Sequence, residues 1–142
     1  MTDPIKLIGN VASPYTRKMV AYLRYKRIPY EVIWGQPEDI LISMNIEAPK
    51  PILLPVFILD RDGQATAVTD STPLIREFED KYPDRSVLPN NPALNFINFV
   101  LEDFGDEWCT KFMFHYRWHF DEDADNAGTI LPLGINSNLK DD

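Results

Sequence analysis

The chain has a single cysteine, Cys109, among its 142 residues, so no disulfide can close within it. Such usage fits a reducing cytoplasm. It also lacks a basic cluster: 14 Lys and Arg stand against 22 Asp and Glu, a formal charge of −8. Contact with phosphate backbones needs a basic stripe, so nucleic acid is not an expected partner. No apolar run reaches the roughly 20 residues of a membrane span. The opening "MTDPIKLIGN" has no signal-peptide layout. There is no phosphate-binding glycine loop and no Gly-x-Ser-x-Gly nucleophile turn. His115 and His119 lie four apart in "HYRWH", but Tyr116 stands where a zinc protease needs glutamate. "DEDADNAG" begins like a calcium loop, yet Asn126 occupies the position that requires glycine and Pro132 that of the last carboxylate. It reads as a solvated acidic turn, and no metal is expected. These absences leave a soluble, acidic, intracellular protein that no membrane holds.

What is present is an alternation of strand and helix signals over the first eighty-odd residues. Ile5–Gly9 is a short apolar-rich segment, and behind it Met19, Val20, Tyr22 and Leu23 recur at helical spacing. Between the two lies "NVASPYTRK". Pro14 suits the first position of a helix, where the missing N–H is not used, and Ser13 then falls at the N-cap. "IPYEVIW" reads as a second strand past Pro29, and "PEDILISMN" as a short helix beginning at Pro37. Val56–Leu59 and Ala65–Val68 flank Asp62-Gly63, the signature of a tight hairpin. "DSTPLIREFEDKYP" is a helix entered through Asp70, Ser71 or Thr72 and stopped by Pro83. The expected order is β-α-β-α-β-β-α. Residues 84–91 read as a linker. From Asn91 and Pro92 a long helical segment carries Ile97, Leu101, Phe104, Trp108 and Phe112 on one face, with a break expected near Gly105. From Asp121 onward periodicity is weak, and residues toward 142 read as a flexible tail.

In that order of elements, Ser13-Pro14-Tyr15-Thr16, Leu54-Pro55-Val56 and Asp70-Ser71 open the first helix, third strand and third helix, and all three gather at one edge of the sheet. Here the sequence resembles the glutathione transferase family. "SPYTRK" is similar to its Ser/Cys-type active-site turn, "LLPVF" to its cis-proline turn, and "TDST" to its acidic-or-amide–serine pair. The resemblance covers roughly residues 5 to 120. It implies a thioredoxin-like α/β domain over residues 1–83, the linker 84–91, and an incomplete all-α domain over 92–142.

It also implies a chemistry. Glutathione is the co-substrate, and its thiolate attacks a small electrophile. Ser13 is the catalytic residue, donating a hydrogen bond to the sulfur. Tyr15, Leu54, Pro55, Val56, Asp70 and Ser71 form the glutathione-binding set. Val56 would pair its backbone with the cysteinyl part, Ser71 would hold the γ-glutamyl carboxylate, and Asp70 would meet the ammonium. Tyr15 is the alternative source of the activating hydroxyl. Donors aimed at a thiolate, with a helix dipole behind them, lower a thiol pKa from about 8.5. The bland readings stay open beside these: N-capping for Ser13 and for Asp70-Ser71, an ordinary trans proline at Pro55, and solvated side chains for Arg17 and Lys50. A thioredoxin-type disulfide exchange is excluded, because position 13 is not cysteine. The family's electrophile pocket is largely built by helices beyond those that fit here, so a non-catalytic thioredoxin-fold interaction module is the alternative function. The aromatic residues of 91–120 imply a homodimer, in which one patch covers its own copy.

Overall fold

The structure, a computed structural model, describes residues 3–135, apart from the side chains of Leu133 and Ile135. The expected flexible tail lies outside the described residues beyond 135. Contacts divide the chain into two units. One runs up to Arg85 and includes the segment from Pro132; the other is Ser86–Leu131.

The first unit carries β1 (Ile5–Gly9), α1 (Pro14–Lys26), β2 (Tyr30–Trp34), α2 (Pro37–Ser43), β3 (Val56–Arg61), β4 (Gln64–Val68) and α3 (Ser71–Lys81). The strands form one mixed sheet in the order β2-β1-β3-β4, with β1 parallel to β2 and antiparallel to β3. This is the thioredoxin-like arrangement read from the sequence. Strand alternation divides the core between the two faces. Leu7 and Phe57 are register partners, and Phe57 meets Phe78 of α3 edge-on at 5.5 Å. Their neighbours Ile8 and Val56 form a cluster with Leu41 of α2 and the half-buried Ile33, Ile40 and Ile58. The sheet is thus covered by α3 on one face and α2 on the other. In α1, Thr16, Met19, Tyr22, Leu23 and Lys26 are buried, the spacing of one helix face.

Turn chemistry sets the connections. Asp62 and Gly63 have φ of 56° and 81°, and the Gly63 N–H donates to Asp60 Oδ1 at 2.9 Å. Two consecutive left-handed residues match the twist of the flanking strands, which is why this pair joins β3 to β4. Arg27 ends α1 in the left-handed conformation that glycine usually supplies.

In the second unit, α4 (Pro92–Asp103) passes into a π-helical turn (Phe104–Trp108) and then α5 (Cys109–Trp118). The break expected near Gly105 is this widened turn, closed by the Cys109 N–H onto the Phe104 carbonyl. Asn91 caps α4, its side chain accepting from the N–H groups of Ala93 and Leu94. A last helix, α6 (Asp121–Ile135), whose residues up to Leu131 belong to this unit, replaces the expected acidic turn. The physical reason is at its start: Asp121, Glu122 and Asp123 occupy the first turn, where carboxylates meet the positive end of the dipole. Pro132 lies inside it. Among the described residues no helix is long and apolar enough to cross a membrane.

Candidate functional site

Strand register brings three connections to one end of the sheet. Ile8 pairs with Val56, so the end of β1 lies beside the start of β3; Phe57 pairs with Val68, so the end of β4 lies there too. The turn holding Ser13 leaves the end of β1, the Leu54-Pro55 step enters the start of β3, and the Asp70-Ser71 step leaves the end of β4.

Ser13 is the N-cap of α1, extended at φ −79° and ψ 120°, and its Oγ accepts from the Thr16 N–H at 3.2 Å. Thr16 is fully buried, and a Cβ at Gly9 would come within 2.5 Å of its Cγ2. Only glycine at the end of β1 lets this turn sit so close to the strand. Upstream, Asn10 Oδ1 accepts from the Ala12 N–H at 2.9 Å, and the Asn10 N–H faces Thr16 Oγ1 at 3.4 Å. Tyr15 is half-buried in the first helical turn. Arg17, expected to be solvated, is exposed and donates from Nε to the Val11 carbonyl at 2.9 Å; Lys50 is exposed as well.

The Leu54–Pro55 peptide is cis, and a second cis bond at Lys50–Pro51 has no counterpart in the sequence reading. Val56 is fully buried and pairs with β1, while the pairing of β3 with β4 begins one residue later, at Phe57.

At the third connection Asp70 is the cap of α3, its Oδ1 accepting from the Thr72 N–H at 3.2 Å. Its backbone sits at φ 80° and ψ 114°, outside the regions an L-residue favours. Because Asp70 does the capping, the Ser71 hydroxyl is not needed for it. Ser71 is buried, and its Oγ accepts from Lys18 Nζ at 3.1 Å. That bond ties the second turn of α1 to the first residue of α3, and the sequence reading missed it. Its signal was in the helix geometry: Lys18 is one turn in from Pro14, and helical side chains lean back toward the N-terminus. The chemistry on offer is anion recognition, with two helix N-termini, a serine hydroxyl and an ammonium at one end of the sheet.

The rings of His115 and His119 stack at 4.5 Å, and no group of three or more His, Cys, Asp or Glu among the described residues could hold an ion.

A mixed four-stranded sheet in the order β2-β1-β3-β4, with helices on both faces, defines a thioredoxin-like domain. The chain belongs to the glutathione S-transferase family, whose N-terminal domain matches residues 7–86. It is similar to a glutathione S-transferase from Rhodospirillum rubrum at 27% identity and a TM-score of 0.56, covering 72% of this chain and 45% of that one. A glutathione S-transferase from Methylobacterium radiotolerans, solved in complex with glutathione sulfonate, is 23% identical with a TM-score of 0.64, over 94% of this chain and 62% of that one. FzlA from C. crescentus shares the fold at 16% identity and a TM-score of 0.66, over 82% and 53% of the two chains. The chain therefore spans about half the length of these structures. No match is found among the curated proteins.

Proposed function

We propose that this protein binds glutathione at the end of its sheet and conjugates the thiolate to a small electrophile. The observation that carries the reading is the bond from Lys18 to Ser71 beside the strained Asp70. A non-glycine residue at φ 80° costs on the order of 1–3 kcal/mol, and such strain collects at ligand sites. In this reading Ser71 and the α3 N-terminus hold the γ-glutamyl carboxylate, Asp70 meets the ammonium, and the Leu54-Pro55-Val56 turn receives the cysteinyl backbone. Ser13 donates to the sulfur, with Tyr15 as the rival donor. The thiol proton goes to solvent, the sulfur forms a bond to the electrophilic carbon, and the displaced electron pair leaves with the departing group.

Homodimer formation belongs to the same proposal. None of the residues of α4, the π turn or α5 is buried among the described residues, and Phe96, Phe104, Trp108, Phe112 and Trp118 are all about half exposed or more. Apolar surface of that kind marks an interface.

Millimolar reduced glutathione is expected to raise the melting temperature by mass action on the native state, and a conjugation assay with a chromogenic aryl halide to show turnover. An unchanged melting curve rejects the site and favours the interaction module. A raised melting temperature without turnover keeps the site and removes the reaction.

A further inference from the structure

Strand β2 is an edge of the sheet, paired only with β1 among the described strands. Its residues alternate between faces. Ile33 joins the cluster around Leu41, whereas Tyr30, Val32 and Trp34 turn to the α1 side. Between them and α1 runs a groove of about 520 Å³, floored on the helix by Val20 and Ala21 and flanked by Arg17 and Arg24. That volume is within the range of ligand-sized sites, and no acidic side chain lines it.

The two arginines are oriented in advance. Arg17 donates from Nε to the Val11 carbonyl at 2.9 Å, and Arg24 from Nε to the Tyr30 hydroxyl at 2.7 Å. Neither has a carboxylate partner among the described residues. In a chain of net charge −8, two guanidiniums with unspent Nη donors flank one apolar groove. Pinning each through Nε lowers the ordering cost of a bidentate contact to a carboxylate.

Spacing selects the shape of the ligand. Arg17 and Arg24 are seven residues apart on a helix, about 10.5 Å along its axis. In an extended strand, residues i and i+4 share a face about 13 Å apart, with i+2 between them. The reach of two arginine side chains closes that difference. The open edge of β2 supplies backbone donors and acceptors for such a strand. Glu31, the charged residue of β2, alternates to the opposite face and does not oppose it.

We propose that the β2 edge and its groove receive an extended acidic segment of a partner protein as a fifth strand. Acidic residues at i and i+4 meet Arg24 and Arg17, and an apolar residue at i+2 lies over Val20 and Ala21. Nothing in this depends on glutathione binding.

The test uses the whole chain and the capped peptide Thr-Glu-Thr-Val-Thr-Glu-Thr, whose two glutamates share a face with the valine. Backbone amide exchange across Tyr30–Trp34 is expected to slow at least tenfold at saturating peptide. The isomer Thr-Glu-Val-Thr-Glu-Thr-Thr, with glutamates on opposite faces, is expected to give no slowing. The double variant Arg17→Glu/Arg24→Glu should lose the effect while keeping the parent's melting temperature and its exchange rates in Ile5–Gly9. If reversing these charges lowers the melting temperature, Arg17→Gln/Arg24→Gln is the variant to read. Equal protection by both peptides, or protection that survives loss of both charges, overturns the proposal. So does binding of decanoate in the groove without any effect of the peptide, which would make it a site for small amphipathic carboxylates.

Discussion

The capping bond of Ser13 uses only part of what its hydroxyl can do. A lone pair of Oγ accepts the Thr16 N–H and starts α1, while the hydroxyl proton remains to be donated. Removing the side chain should therefore have two separable effects. Ser13→Ala is expected to cost about 1 kcal/mol of stability as a lost cap. In the glutathione complex it should raise the thiol pKa and lower conjugation by about 10²–10³-fold, the scale for losing one donor to a reacting anion. Thiolate absorbance against pH and steady-state rates check both. Full activity in Ser13→Ala with an inactive Tyr15→Phe assigns the role to Tyr15. Asp70 makes the opposite trade. Glycine adopts φ 80° without strain and is only a few tenths of a kcal/mol worse as a cap. Asp70→Gly is thus expected to melt no lower than the parent and to bind glutathione at least tenfold more weakly, by calorimetric titration. A variant that is both less stable and an equal binder would mean that the strain serves the fold alone.

At the level of elements, α1 and α3 are joined by a buried polar cluster. Lys26 Nζ lies 2.8 Å from Glu79 Oε1, and the Tyr22 hydroxyl donates to the same oxygen at 2.8 Å. Lys26 has no other acceptor among the described residues. Breaking a buried pair leaves an uncompensated charge, so Glu79→Gln is expected to cost roughly 3–5 kcal/mol in denaturant unfolding. Burial, and then the bond to Glu79 and its charge, push the Tyr22 phenol well above its ordinary value. The unfolded chain releases that proton first, near pH 10. The cluster's contribution is therefore complete below about pH 10 and falls as pH rises past it, because the native state then binds more protons than the unfolded one. Tyr22→Phe should flatten the decline in stability above pH 10.

This cluster also shows where the sequence stopped being legible. Met19, Tyr22 and Leu23 announced the inner face of α1 by spacing alone, and Asp62-Gly63 announced the hairpin, because those signals are local. Lys26 and Glu79 are charged residues fifty-three positions apart, and nothing local tells that both turn inward. Lys18 and Ser71 are the same case at the site: the three connections were placed by element order, but the bond between two of them depends on tertiary packing. Helix α6 escaped because its first turn is acidic and its interior holds Gly128 and Pro132, weak helix formers that hid its period.

For the whole molecule, the exposed aromatic residues of α4 and α5 bear on solution behaviour. Sedimentation at micromolar concentration is expected to show a dimer, and Trp108→Glu to shift it toward monomer while leaving the melting of the sheet unit unchanged. A parent that sediments as a monomer at tens of micromolar removes the dimer from the proposal. The π turn shapes how any such surface must be met. It holds one residue more than an α-helical path would, and each residue of an α-helix advances the side chains by about 100°. The aromatic positions before Phe104 and those after Trp108 are thus out of phase by nearly a third of a revolution. A flat counterpart that faces one block squarely meets the other on its flank, so the matching surface has to be curved. Excising Gly105 would bring the two blocks into phase and offer a single straight ridge, to which a surface shaped for the parent would be a misfit.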